Sequence, residues 1–223
     1  ILGIASTNSA ADSNTTISNC YNTGNITGRS TAGGIAGSVS TSTVTDCYNI
    51  GNVTGNNYVG GIAGNSDIVT NCYNTGAVTG SGDYVGGVVG YSDYSDITNC
   101  YNTGAVDGSA DVGGVVGSVY NSASTVTNCY YGGNCTLSYG IGGSSSNTGA
   151  SKDENLIVNA KSLNWYQDSS KWDSEYPWDF VEVWSLVSSA NDGYPILQGF
   201  SVNITYNSNF GENETITEQV PSG

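Results

Sequence analysis

Cys72-Tyr73-Asn74-Thr75-Gly76-Ala77-Val78-Thr79-Gly80, followed shortly by Val85-Gly86-Gly87-Val88-Val89-Gly90, is a unit the chain writes five times. Close copies begin at Cys47 and Cys100, an earlier one at Cys20 and a worn one at Cys129. The cysteines are 27, 25, 28 and 29 residues apart, and the Gly-Gly steps at Gly33, Gly60, Gly86, Gly113 and Gly142 keep pace. Insertions fall in polar stretches such as Tyr91 to Asp96. A repeat this short cannot bury its own apolar face, so neighbouring copies must stack to make a core.

Each unit carries three β-favouring pieces: one before the cysteine (Thr43-Val44-Thr45, Ile68-Val69-Thr70), a β-branched residue after the turn (Ile26, Val53, Val78, Val106), and one straddling the glycine pair. Asn-Thr-Gly and Val-Thr-Gly are turn signals between them. No part of the repeat has helical apolar spacing. Three short strands per unit predict an all-β fold: a β-solenoid of about five rungs, with like positions about 4.8 Å apart. Residues 1–150 form this repeat region, 151–200 a tryptophan-rich cap, and 201–223 a final strand with an acidic tail.

A net charge of −15, four Lys+Arg and no histidine argue against nucleic acid or an anionic membrane as partner. No run is long and apolar enough to span a bilayer, so membrane insertion is not expected. Ile1–Ala5 is short and uncharged, which reads as the start of a mature or trimmed form. The cysteines point outside the cell. Cys20, Cys47, Cys72, Cys100 and Cys129 hold one position in successive rungs, and Cys135 takes the place of a core valine in the last. Stacked rungs bring such cysteines within disulfide Cα range, giving Cys20–Cys47, Cys72–Cys100 and Cys129–Cys135 as expected pairs. The rival is a ladder of buried thiols packed as small hydrophobes. Sequons at Asn14, Asn25, Asn52, Asn134, Asn203 and Asn213 give candidate glycosylation sites.

Gly-Gly-Ile-Ala-Gly at 33–37 and 60–64, with Cys-Tyr-Asn-Thr-Gly and Val-Thr-Gly, resembles the GLUG repeat of bacterial and archaeal surface proteins over about residues 15–145. Trp178-Asp179-Phe180 through Asn191-Asp192-Gly193-Tyr194-Pro195-Ile196-Leu197 is similar to the tail that often follows such repeats. The resemblance implies cell-surface display in adhesins, protease stalks or envelope proteins, and an archaeal sheath or surface-layer subunit fits a small acidic solenoid.

Composition changes after Gly149: all three lysines and all four tryptophans (Trp165, Trp172, Trp178, Trp184) lie beyond it. Ser151-Lys152-Asp153-Glu154 reads as a capping box opening a short helix with Leu156, Ile157, Ala160 and Leu163 on one face. The aromatic block 163–184 would cover the solenoid's exposed end, its alternative being a sugar-stacking platform. Val202, Ile204 and Tyr206 alternate as one strand before acidic Glu212, Glu214 and Glu218, a segment able to join a neighbour's edge.

Catalytic chemistry is not indicated. Without histidine there is no His-based acid–base or metal chemistry, and no serine sits in a nucleophile elbow. Asp93/Asp96 and Asp107/Asp111 read as solvated loop carboxylates, and neither cofactor nor metal is called for. Outward rows are expected instead: stacked Tyr21, Tyr48, Tyr73, Tyr101 and Tyr130, and threonine rows Thr45, Thr70, Thr98, Thr127 and Thr27, Thr54, Thr79, Thr136. Rows suit stacking better than a unique active site. The reading is a non-enzymatic extracellular structural protein at the cell surface or envelope. It would assemble with copies of itself through β-edge stacking, reinforced by tyrosine and asparagine ladders. The alternatives are an adhesin module binding glycans and, more distantly, a polysaccharide-active β-helix enzyme.

Overall fold

A computed structural model describes residues 15–121, 123–144, 156–161, 163–168, 178–187, 190–198, 201–207 and 213–219. The chain divides into two units, residues 1–165 and 166–223.

The first unit is the expected β-solenoid. All its strand pairings are parallel and join like positions of successive coils: Ile17, Val44, Val69, Ile97 and Val126 align, as do Tyr21, Tyr48, Tyr73, Tyr101 and Tyr130. Four strands at Ile26–Thr27, Val53–Gly55, Val78–Gly80 and Val106–Asp107 form one sheet. Four more at Ala32–Gly33, Val59–Gly60, Asp83–Gly86 and Ala110–Gly113 form the next. The remaining strands belong to a larger sheet that wraps the coil. Inside, Val44, Val53, Val59, Ile62, Val69, Val78, Val85, Val88, Ile97, Val115 and Val126 are fully buried in one cluster. Burying each such side chain stabilises the fold by roughly 1.5–3 kcal/mol.

Two local features give the coil its corners. The residue before each repeat cysteine (Asn19, Asp46, Asn71, Asn99, Asn128) has φ of 51–53°. Asn and Asp visit this left-handed region at least cost among side-chain-bearing residues, so the corner selects them. The second corner is the glycine pair. The predicted strand straddling it is in fact broken there, into pieces such as Asp83–Gly86 and Val89–Ser92. A Cβ on Gly86 would lie 2.0 Å from the Val89 carbonyl oxygen, and Gly60 has the same relation to Ala63. Only glycine lets the chain fold back that tightly.

Two expectations about the later residues are corrected. Leu156–Lys161 is a strand, lying parallel on Thr125–Gly132, and the α-helix is confined to Leu163–Gln167. A β-branched run beside an open strand edge wins over helical spacing. The capping-box residues Ser151–Glu154 lie outside the described residues. In the second unit, the part of the acidic tail that carries Glu214 and Glu218 is a strand: Ser201–Asn207 pairs antiparallel with Asn213–Gln219, Ile204 opposite Ile216, and Glu212 lies outside the described residues. The segment therefore pairs within its own hairpin. Elsewhere in this unit Trp178 and Trp184 are buried and stacked at 4.5 Å, and Tyr166 meets Tyr194 edge-on at 4.9 Å. Trp172 lies outside the described residues.

Candidate functional site: internal ladders and an open first coil

The Cys-Tyr-Asn triplet builds three stacked columns. Its asparagine points inward with the thiol, while the tyrosine between them takes the opposite side of the strand. Asn22 donates from Nδ2 to Asn49 Oδ1 at 2.7 Å, Asn49 to Asn74 at 2.7 Å, and Asn74 to Asn102 at 2.8 Å. The other Nδ2 hydrogen of each donates to the carbonyl two residues on, that of Gly24, Gly51, Gly76 or Gly104, at 2.6–2.9 Å. Both Nδ2 hydrogens of Asn22, Asn49 and Asn74 are thus used. In the fifth coil Tyr131 occupies the position of Asn102 and ends the column.

The second glycine of each Gly-Gly step makes room for this column. A Cβ on Gly34 would stand 2.4 Å from Asn49 Cγ, one on Gly61 2.3 Å from Asn74 Cγ, and one on Gly87 2.3 Å from Asn102 Nδ2. The asparagine of one coil rests on the glycine of the coil before it. The two halves of the repeat signature are therefore one contact, a link that inspection of spacing alone does not reveal.

The tyrosine column forms as expected, with ring centroids 5.2, 5.0 and 5.1 Å apart from Tyr21 through Tyr101 and interplanar angles of at most 10°. Its presentation is different. Tyr48, Tyr73, Tyr101 and Tyr130 are buried, and Tyr21 alone is open, at 57% exposure. Neighbouring rings cover one another's faces, and Trp165 packs 4.7 Å from Tyr130 with the Lys161 ammonium 4.6 Å from the Trp165 ring. The row is structural rather than an outward platform. Burial first, and the Tyr21 phenol second, push the Tyr48 hydroxyl up to about 12.

All six cysteines are free thiols, and none of the bridges Cys20–Cys47, Cys72–Cys100 or Cys129–Cys135 is present. The Cα criterion admits in-register neighbours, but equivalent Cβ atoms in stacked parallel strands are also about 4.8 Å apart, beyond the roughly 3.5–4.5 Å a disulfide requires. Each repeat thiol instead approaches the carbonyl two residues before it, at 3.0–3.2 Å. Burial holds Cys72 and Cys129 well above the ordinary thiol range. Cys135 is buried in the core as expected, but its neighbours are Tyr131 and the Asn102 side chain rather than the cysteine column.

The threonine rows have the expected register, Ser18, Thr45, Thr70, Thr98 and Thr127 in one and Thr27, Thr54, Thr79 and Asp107 in the other; Thr136 does not join. Among the sequons Asn25, Asn52 and Asn134 are exposed. Asn25 Oδ1 accepts from Asn52 N and Asn52 Oδ1 from Ala77 N, both at 3.0 Å. Asn14 and the side chains of Asn203 and Asn213 lie outside the described residues. Asp96 accepts a hydrogen bond from Thr125 Oγ1 at 2.5 Å.

The two ends of the solenoid differ. At the fifth coil Leu156–Lys161 and Trp165 overlie Thr125–Gly132, while Val106–Asp107, Ala110–Gly113 and Ile141–Ser144 are paired on one side only among the described residues. At the other end Thr15–Ser18, Tyr21–Asn22, Ile26–Thr27 and Ala32–Gly33 are each paired on one side only among the described residues. Thr15, Thr16, Ser18, Cys20 and Tyr21 are exposed there.

Comparison with known proteins agrees with this geometry. Residues 81–107, which run through the third and fourth coils, match the model of the GLUG motif. No curated protein matches the chain. A solved structure from Bacteroides ovatus, described as a "putative immunoglobulin A1 protease", is similar over 82% of this chain, with 26% identity and a TM-score of 0.53. The match covers 57% of that protein, so the chain spans little more than half its length. Motif and fold together define a β-solenoid that carries a GLUG motif.

Proposed function

We propose that this chain is a non-enzymatic structural segment displayed outside the cell, and that it associates with copies of itself through the open edge of its first coil. The carrying observation is a difference at the tyrosine column: Leu156–Lys161 covers Thr125–Gly132 and Trp165 covers Tyr130 at the fifth coil, whereas Tyr21–Asn22 is paired on one side only among the described residues and Tyr21 is exposed. An open edge of this kind is a template for further pairing. Surface display is supported by the GLUG motif and by a composition that is strongly acidic and poor in Lys and Arg.

Sedimentation velocity across a concentration series, with electron microscopy of the same samples, tests the reading. Concentration-dependent assembly that Tyr21→Lys weakens is the expected result. A protein that stays monomeric at every concentration sinks it. The protease name belongs to the Bacteroides ovatus protein; a histidine-free chain covering 57% of it is a poor candidate to carry that activity. Turnover of peptide substrates by the purified chain would overturn the non-enzymatic part.

A further inference from the structure

Four tyrosines outside the repeat column gather in one cluster. Tyr58 and Tyr84 stack at 5.0 Å and 23°; Tyr91 meets both edge-on, 5.5 Å from each; Tyr120 lies 6.2 Å from Tyr91. The first three are partly exposed and Tyr120 is 56% exposed. Among the described residues no group of the protein hydrogen-bonds any of the four phenol hydroxyls.

The backbone under two of these rings is unusual. Tyr58 and Tyr84 occupy the same place in successive coils with φ of 52° and 64°; Asp111 follows at 49°. Tight glycine packing sets this conformation: a Cβ on Gly90 would lie 2.7 Å from Tyr58 C, and one on Gly117 2.6 Å from Tyr84 C. Asn, Asp or Gly suits such a position, as Asp111 does, whereas a bulky ring is strained there. Strain held by surrounding structure clusters at ligand clamps, and here it holds two rings side by side.

The surroundings select the ligand. Asp83 directly precedes Tyr84, Asp111 takes the place of Tyr84 in the next coil, and Asp93 lies two residues beyond Tyr91. The only basic residue in the coils up to residue 144 is Arg29. An anionic polymer is therefore disfavoured. Rings only 5.0–5.5 Å apart leave no slot between opposed faces in which to cage a cation. Amphipathic rings with unused hydroxyls, beside carboxylates that accept hydrogen bonds, suit a molecule with apolar C–H faces and many hydroxyl groups.

We infer that Tyr58, Tyr84, Tyr91 and Tyr120 form a binding platform for a neutral polysaccharide. The rings pack against sugar C–H faces, the phenols donate to sugar oxygens, and Asp83, Asp93 and Asp111 accept from sugar hydroxyls. The site is separate from the first-coil edge, so its failure would leave the association reading untouched.

Native electrophoresis through gels containing dextran, a mixed-linkage β-glucan or mannan tests this, with alginate and oligo-lysine as the anionic and cationic arms. We expect retardation by at least one neutral polymer, unchanged by added salt. Tyr58→Asn/Tyr84→Asn should lower that affinity at least tenfold while keeping or raising thermal stability, because asparagine relieves the backbone. Tyr91→Ala/Tyr120→Ala should lower it similarly. Failure of all three neutral polymers to retard the protein, retardation by alginate or oligo-lysine alone, or neutral binding that survives both double variants each overturns the inference.

Discussion

Asn74 lies over Gly61 of the preceding coil so closely that a Cβ on that glycine would stand 2.3 Å from Asn74 Cγ and 2.2 Å from the Gly87 carbonyl oxygen. Neither neighbour can retreat, since one is hydrogen-bonded backbone and the other is held by three hydrogen bonds. Gly61→Ala should therefore destabilise the solenoid by about 3 kcal/mol or more, at or beyond the usual range for overpacking. Gly24, whose added Cβ would meet nothing nearer than 3.8 Å, should tolerate alanine far better. Urea midpoints of the two variants against the parent give the comparison.

The carboxamide column should be most sensitive at its middle. Asn74→Ala orphans the Gly76 carbonyl and an Asn49 Nδ2 hydrogen, both buried, and leaves Asn102 Oδ1 with Gly104 N as its one remaining donor. Unsatisfied buried groups cost about 1–3 kcal/mol each, so we expect a loss of about 2–4 kcal/mol after partial relaxation. Asn22→Ala, at the exposed coil, should cost about 1 kcal/mol. Equal losses at the two positions would contradict a continuous buried ladder.

Thiol accessibility separates the cysteine column from the bridged alternative. Cys20 is exposed and the other five are buried. One thiol should react with a thiol reagent in the native protein and six after denaturation, with mobility unchanged by reductant. Fewer than six thiols in denaturant would restore the disulfides.

Alkaline pH should weaken the fold. Burial first, with the Tyr21 phenol adding to it at Tyr48 and the Asp93 carboxylate at Tyr91, raises both hydroxyls to about 12 from an ordinary value near 10. A raised folded pKa means the neutral phenol is favoured in the native state. The stability it contributes is intact below pH 10 and is lost as pH climbs toward about 12. Thermal melts across that interval, with phenolate absorbance followed alongside, should show falling stability and two tyrosine classes. Flat melting temperatures would count against the buried column.

The solenoid was legible because Cys47, Cys72 and Cys100 and the glycine pairs recur at a length that only stacking explains, and the tyrosine register follows from the same spacing. The interlock of Asn74 with Gly61 was not legible, because the two residues are joined by a fold-back whose closeness depends on glycine backbones. Leu156–Lys161 was misread since apolar spacing on a short segment is ambiguous, and the open edge of Thr125–Gly132 decided the outcome. The bridges failed on Cβ geometry, which spacing along the chain does not encode. Tyr58 and Tyr84 did leave a signal, both standing directly before Val-Gly-Gly in successive repeats. Its meaning depends on the left-handed backbone at both residues, which tyrosine does not signal.

Asn22, Asn49 and Asn74 each donate toward the later coil, ending on Asn102. Aligned amides add their dipoles, and each bond polarises the next. The interior of the solenoid is thus an oriented electrical column with an acceptor at its head, and a carboxamide inserted the wrong way round would set donor against donor. Direction along the axis is written into the core itself, so a growing stack would carry an arrow from its first rung to its last.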